Sequence, residues 1–540
     1  MVLMKQHIYN KLLMEYINPT QCEKVDTNTV EKLHARLKRF SNTKLAKRLA
    51  IKNIVMDSPD TPRLFGFAKT HKQDQQICPV VDKVRAPTHK LEEFTHRLIA
   101  PHLEDYQFTV TNSQCLIELL KQIDTPPQFI TVLDFKSLYP SFLLPPAFCA
   151  IRDLLFKIVA DANLYQQILE MAHLLCYNSF FQFRGTVYKQ GRGVPMGSPV
   201  AGDLCELVIW QLEEKILPNH LHNIQLYKRY VDDILILWKS KPDIAAFVDS
   251  FNNNSYGVTL GLEQANDTHV HFLDVSIMVE GTSILTEVYR KPLADQLYIP
   301  IGSCDPILYK LAAFNTLVKR AYTHSSTRHA LQKEINTLRS IAQSHGYYNL
   351  ISKLTKKWRN YQLSTQTNQH EQVTTEHKDN IPLTYNPYLR KLYLEVAKKK
   401  QVSITYKRCP NIYQLLRNAK DPPNQDKLPR VYAIPLKDHR CDEDLWYIGS
   451  TKKLLVARIK EHKADIRHQR CTTALARYAT EPDIQPRFDE ARIIHTTPLI
   501  HHLRWMEAVH IHKTARDKKC INSKEELSLS VAWQMLIYDG

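Results

Sequence analysis

Two adjacent aspartates, Asp232 and Asp233, run straight into the apolar stretch Ile234-Leu235-Ile236-Leu237-Trp238. That stretch predicts a buried strand, and Tyr230-Val231-Asp232-Asp233 falls where a hairpin turn would enter it. Carboxylates at the mouth of a buried strand are costly unless something neutralises them, and divalent cations do so. Asp134 has the same setting: it ends the run Phe129-Ile130-Thr131-Val132-Leu133 and precedes Phe135-Lys136-Ser137-Leu138-Tyr139-Pro140-Ser141. Magnesium needs only one or two protein carboxylates plus substrate phosphates, so a few aspartates on rigid strands suffice for two-metal displacement at phosphorus.

Between these acids lies Gln190-Gly191-Arg192-Gly193-Val194-Pro195-Met196-Gly197-Ser198-Pro199, which opens a helix read from Leu204 to Ile216. A Gly-rich loop leading into a helix lets backbone approach a templating base or an incoming nucleotide closely. Gly193, Pro195, Met196, Gly197 and Ser198 are therefore read as nucleotide- or template-binding.

The chain has 540 residues, too many for one core. Its 72 Lys and Arg against 55 Asp and Glu give a formal charge of +17, which suits a polyanionic partner. The 11 cysteines form no CxxC pair, so neither a disulfide framework nor a thiolate zinc site is signalled, and a reducing compartment is expected. No stretch is apolar for long enough to span a bilayer.

The order of strand-aspartate, Gly/Pro loop with helix, and Tyr-x-Asp-Asp hairpin resembles the palm of reverse transcriptases. In that family the carboxylates of the first and third motifs bind the metals, which maps to Asp134, Asp232 and, with a lesser role, Asp233. An aromatic five residues after the first aspartate, here Tyr139, implies selection of deoxynucleotides. Upstream, Leu64-Phe65-Gly66-Phe67-Ala68-Lys69-Thr70-His71-Lys72, Cys78-Pro79-Val80-Val81 and Ala86-Pro87-Thr88-His89-Lys90 look like a fingers segment similar to that of Penelope-like retroelements. The family's proline is Ala68 here and its arginine is Cys78, which leaves Lys69 and Lys72 as the cations for a triphosphate. Phe272-Leu273-Asp274-Val275 and Glu287-Val288-Tyr289-Arg290-Lys291-Pro292 resemble the later palm motifs, and the helices after Pro306 a thumb. There Lys310, Lys319 and Arg320 are open to two readings, template-phosphate contacts or a solvated basic face.

A second ordered set comprises Val431-Tyr432-Ala433-Ile434, Trp446-Tyr447-Ile448-Gly449-Ser450-Thr451, a helix carrying Arg458 and His462, Glu507 on another helix, and Ile521-Asn522. Together these resemble the GIY-YIG endonuclease fold, which Penelope-like elements carry at the C-terminus. The resemblance makes Tyr432 and Tyr447 the signature tyrosines, one a general base, and makes Arg458 the cation that stabilises the phosphate in flight. It gives Glu507 a single divalent ion, with Gly449, His462 and Asn522 as support. Arg430 replaces the signature's first glycine. Leu436, the lone Cys441 and Tyr478 stand where relatives have zinc ligands, so no zinc is expected.

The expected organisation is multidomain α+β. Its parts are an N-terminal helical extension (1–60), fingers and palm of a right-hand polymerase (61–300), a helical thumb (301–360), a linker and basic connector (361–428) and a small α/β GIY-YIG domain (429–540). The connector includes Lys398-Lys399-Lys400, read as an RNA contact, a nuclear import signal or a solvated helix end. The resemblance implies a retrotransposon enzyme whose nuclease nicks target DNA to prime reverse transcription. It would use Mg²⁺ or Mn²⁺, two ions in the polymerase and one in the nuclease. Its partners would be an RNA template, a DNA primer and target, and deoxynucleoside triphosphates, with no membrane, inside the cell and at the nuclear site of insertion. The rival readings are a telomerase-like enzyme, a group II intron-type enzyme, and a decayed or domesticated element protein that binds nucleic acid without catalysis.

Overall fold

The computed structural model describes residues 4–18, 21–41, 55–56, 59–68, 76–103, 106–292, 297–367, 379–407, 428–497, 500–517 and 519–522. At the centre is a four-stranded antiparallel sheet in the order β7-β8-β4-β9. Its strands are β4 (Phe129–Phe135), β7 (Ile224–Tyr230), β8 (Asp233–Trp238) and β9 (Leu260–Asn266), with β4 and β8 innermost. From Ile234 to Trp238, β8 is buried on both faces, which is why its sequence is continuously apolar rather than alternating. Ile234, Ile236 and Trp238 face one core with the helices α6 (Leu144–Ile158), α8 (Ala201–Ile216) and α9 (Ile244–Asn252). Leu235 and Leu237 face a second core with α4 (Ser113–Leu120), β10 (His269–Phe272) and β11 (Val275–Glu280). Each such side chain contributes roughly 1.5–3 kcal/mol on burial, so the strand that carries the aspartates is held firmly from both sides.

Several sequence expectations shift. Strand β4 continues through Asp134 to Phe135, so the aspartate lies within the strand rather than after it. Helix α8 begins at Ala201, three residues earlier than expected. The β-rich run His271 to Ile277, which predicts one strand, is two, because Leu273, with φ of +56°, turns the chain between β10 and β11. The N-terminal region is not only helical. Between α1 (Gln6–Ile17) and α2 (Asn28–Ser41), β1 (Glu23–Val25) joins a second sheet in the order β1-β6-β5-β2-β3. The other strands there are β2 (Arg63–Ala68), β3 (Ile77–Asp82), β5 (Phe180–Phe183) and β6 (Thr186–Lys189).

Three helices follow the palm-like unit: α10 (Ile307–His324), α11 (Arg328–Ser344) and α12 (Leu350–Thr367), the last extending into the stretch expected to be linker. The Asp274 carboxylate fixes α10 against the β10–β11 turn by accepting from His324 Nε2 and Arg320 Nη1, each at 3.2 Å, and from Ser113 Oγ. Lys310 is buried and donates to the carbonyls of Ile301 and Ser303. Both cations therefore hold the fold together, which corrects the phosphate-contact reading of Lys310 and Arg320; Lys319 is solvent-exposed.

Beyond them, β13 (Asn380–Thr384) and β14 (Ser403–Lys407) pair in parallel around the helix α13 (Arg390–Lys400), whose last turn is Lys398, Lys399 and Lys400. The last unit is a sheet in the order β17-β15-β16-β19, with β18 (Arg492–Thr496) also on β15. Its strands are β15 (Arg430–Asp438), β16 (Glu443–Thr451), β17 (Ile484–Pro486) and β19 (Lys519–Cys520). Alternation on β15 sorts the residues: Tyr432, Ile434 and Leu436 share one core, while Val431 and Ala433 pack beneath the helix α16 (Ile500–Asp517).

Candidate active site

Antiparallel pairing puts Asp134 directly opposite Asp233, and the hairpin brings Asp232 beside them. Ligand oxygens of the three aspartates all lie within 4.8 Å of one another. Burial raises the Asp233 carboxyl to about 7, and the like charges of Asp232 and Asp134 add to it, while Lys291 opposes. Hard oxygen donors crowded this closely fit Mg²⁺ or Mn²⁺, which would relieve the repulsion.

The turn itself is strained. Val231 has φ of +55°, a left-handed conformation unfavourable for a β-branched residue. Two contacts hold it there: Phe135 N–H donates to the Asp232 carbonyl at 3.0 Å, and Arg229 Nη1 donates to the Val231 carbonyl at 3.1 Å. Arg229 is fully buried and also grips two glutamates of α8, Glu206 at 2.7 and 2.8 Å and Glu213 at 2.7 and 3.1 Å. Tyr227 donates to the same Glu213 at 2.7 Å. Sequence reasoning missed this set. Part of the signal was present: Glu206 and Glu213 are seven residues apart, hence on one face of α8, and Arg229 shares its strand face with Tyr227.

A lysine at 229 keeps one charge but cannot span two carboxylates and a carbonyl. Arg229→Lys is expected to lower stability by about 2–3 kcal/mol and to raise the Mg²⁺ concentration needed for half-maximal primer extension several-fold. A denaturant midpoint together with a Mg²⁺ titration checks this; an unchanged Mg²⁺ dependence would show that Arg229 does not position the turn.

The Gly-rich loop docks on the segment after Asp134. Val194 N–H donates to the Tyr139 carbonyl and Gly193 N–H to the Phe142 carbonyl, each at 2.8 Å. Gly193 has φ of +65°, and a Cβ there would sit 2.3 Å from the Tyr139 carbonyl oxygen, so only glycine fits. Pro195 is buried, the Met196 carbonyl accepts from Val81 N–H at 2.8 Å, and Ser198 Oγ donates to Glu92 at 2.7 Å. Glu92 is itself buried and ion-paired with Lys83. Gly197 is exposed. The loop thus fixes the position of Tyr139, which with Gly202, Asp203, Glu206 and Val231 lines a hollow of about 270 Å³. Lys69 and Lys72 lie outside the described residues.

The raised Asp233 carboxyl has a stability consequence. The fold favours its protonated form, so this group costs nothing below about pH 4, costs more as pH rises toward 7, and carries its full cost above that. A displacement from 3.8 to about 7 would be worth roughly 4 kcal/mol in a dry site, and solvent around this half-buried carboxyl cuts that to about 1–2 kcal/mol. In EDTA at pH 8, Asp233→Asn is expected to raise the melting temperature, with the gain vanishing near pH 4. A gain of the same size at both pH values would contradict this.

In the C-terminal unit, Tyr432 Oη lies 2.7 Å from His462 Nε2, and Arg458 Nε donates to the same oxygen at 3.3 Å. His462 is fully buried and burial holds it down at about 4, with Arg458 adding to the effect, so the ring is neutral near pH 7. Burial raises the Tyr432 hydroxyl, and Arg458 draws it back. Gly449 stands opposite Tyr432 in the strand register, and a Cβ there would come within 2.6 Å of Tyr432 Oη. The Tyr447 and His462 rings meet edge-on at 5.6 Å. Glu507 accepts from Ser450 Oγ at 2.8 Å, and its charge reaches Tyr432. Asn522 clamps Ile448, accepting from its N–H at 2.8 Å and donating to its carbonyl at 2.7 Å. Arg430 is buried and bonds the Leu428 carbonyl.

Residues 49–265 match the family model for reverse transcriptase (RNA-dependent DNA polymerase). The chain carries a reverse transcriptase domain. Residues 297–354 match a second model, the animal helix-turn-helix domain, and this span includes α10 and α11. No curated protein matches the chain. Among solved structures, the chain is similar to a telomerase from Candida albicans in complex with a TWJ fragment of telomeric RNA, with TM-score 0.43 and 13% identity. That match covers 67% of this chain and 62% of the telomerase. It is also similar to an apo telomerase from Candida tropicalis, with TM-score 0.38, 13% identity, and coverage of 73% and 66%. The chain therefore spans 62% of the length of the first of these telomerases.

Proposed function

We propose that the chain is the enzyme of a Penelope-like retroelement, an RNA-directed DNA polymerase coupled to a GIY-YIG endonuclease. The observation that carries the polymerase reading is the convergence of Asp134, Asp232 and Asp233 inside a reverse transcriptase domain. Bound divalent ions would supply the charge that activates a primer 3′ hydroxyl and stabilises the leaving pyrophosphate. The chain's own part is geometric: β4 and β8 fix the aspartates, Arg229 and Phe135 fix the turn, and the Gly-rich loop fixes Tyr139 where it would exclude a ribose 2′ hydroxyl. Helices α10–α12 serve as the thumb, and Lys69 and Lys72 meet the triphosphate.

The nuclease reading is supported by the grouping of Tyr432, Arg458 and His462, with Glu507 in electrostatic reach. Neutral His462 accepts a hydrogen bond from the Tyr432 hydroxyl and, with Arg458, orients the phenol oxygen toward the attacking water. Arg458 stabilises the phosphate in flight, and Glu507 holds a single divalent ion. Nicking would supply the 3′ end that the polymerase extends, at the nuclear site of insertion. The test is extension of a DNA primer annealed to an RNA template with Mg²⁺ and deoxynucleotides. DNA product is expected, and its absence across a range of Mg²⁺ and Mn²⁺ concentrations would refute the polymerase.

A further inference from the structure

Tyr432, Tyr447 and His462 use one face of the C-terminal sheet. The opposite face, under α16, contains a second polar feature. Ala433 lies at its centre, paired with Arg492 on β18 and with Ile448 on β16. A methyl group between larger neighbours does not fill the space beneath a helix, and a hollow of about 200 Å³ remains there. Ala433 forms its floor and Trp446 a wall, while Arg492, His510, Lys513 and Thr514 supply its polar groups. Among the described residues, no carboxylate lines it. Among the described residues, neither Arg492 nor Lys513 has an acidic partner. The Arg492 guanidinium lies 5.2 Å from the Trp446 ring centroid, which fixes one cation against the wall. His510 is held below its ordinary value by burial and then by His495 and Lys513.

One cation stacked on Trp446, a second that is solvent-exposed, a hydroxyl and an imidazole, with no acidic acceptor among the described residues, suit an acceptor-only anion. The apolar wall suits a group that carries a sugar beside its charge. His510 and Thr514 follow Glu507 by three and seven residues on α16, so they share its side of the helix. Thr514 lies about 10 Å along the axis from Glu507.

We propose that this hollow is a phosphodiester subsite, taking a backbone phosphate of a nucleic-acid strand with its sugar against Trp446. Resting on the nuclease reading above, it holds a nucleotide flanking the phosphodiester presented to Glu507. Binding needs no divalent ion and no catalysis.

The experiment is a titration of the full chain with single-stranded DNA and RNA oligonucleotides in EDTA, read by tryptophan fluorescence. The Trp446 signal is the difference between wild type and Trp446→Phe. Quenching of that signal by both oligonucleotides is expected. Arg492→Ala with Lys513→Ala should shift its midpoint at least tenfold and reduce the salt slope by about one to two. Thr514→Glu, which sets a negative charge in the hollow, should shift the midpoint likewise. The control is Lys157→Ala with Arg184→Ala, which removes equal charge from exposed positions elsewhere and should leave the midpoint in place. Quenching as large in Trp446→Phe as in wild type, which leaves no difference signal, or a control shift as large as the pocket's, overturns the subsite. If pocket variants bind normally while nicking still depends on Glu507, the subsite falls and the nuclease stands. If plasmid is never nicked but the pocket-dependent binding holds, the nuclease reading falls and the subsite remains.

Discussion

Asp232→Ala is expected to lower RNA-templated primer extension by about 10³-fold or more while leaving primer–template affinity within a few-fold of wild type. The ligand oxygens of Asp134, Asp232 and Asp233 converge within 4.8 Å, so removing one carboxylate would dismantle the proposed shared metal site rather than a single contact. Metal stabilisation of charge in the transition state is worth several kcal/mol, and about 4 kcal/mol corresponds to roughly 10³ in rate. Asp134→Ala should match it, being the strand partner of Asp233 across β4 and β8. Asp233→Asn should cost less, in keeping with the lesser ligand role proposed for it. Stability should not fall in Asp232→Ala, because the substitution relieves like-charge repulsion on Asp233. Rates and melting temperatures of the three variants, measured side by side, check both halves. Undiminished product from Asp232→Ala would remove the polymerase assignment.

The second large effect lies in the C-terminal unit. Glu507→Ala is expected to lower Mg²⁺-dependent nicking of plasmid DNA by about 10²–10³-fold, with primer extension unchanged. Arg458→Ala should give a loss of similar size, since a cation aimed at a developing phosphate charge is worth about 3–4 kcal/mol. Gly449→Ala is a sharper probe of geometry. Its methyl would press on Tyr432 Oη, displacing that oxygen from His462 and Arg458, so nicking should fall without loss of either cation or carboxylate. Equal nicking by wild type and Glu507→Ala would refute the assigned site.

How much of this was legible in the sequence depended on range. Where function and fold are local, as in Tyr230 to Trp238, the text showed both the turn and its buried return strand. The break at Leu273 was hidden because a leucine in a left-handed turn looks like one more strand residue. Strand β1 was hidden because three residues paired to Val187, Tyr188 and Lys189 carry no period of their own. The same holds for the site. Asp134, Asp232 and Asp233 announce themselves as acids at a buried strand. Arg229 does not, because its meaning comes from Glu206 and Glu213 across the core. Lys310 and Arg320 looked like free surface cations only because their partners, two carbonyls and Asp274, are fixed by tertiary folding.

The most direct test of the polymerase site is a structure of the chain with RNA template, DNA primer, an incoming deoxynucleotide and Mg²⁺. Two ions about 4 Å apart are predicted between the triphosphate and the carboxylates of Asp134 and Asp232. A nucleotide bound with its metals held elsewhere, or with no ion against Asp134 and Asp232, would contradict the assignment.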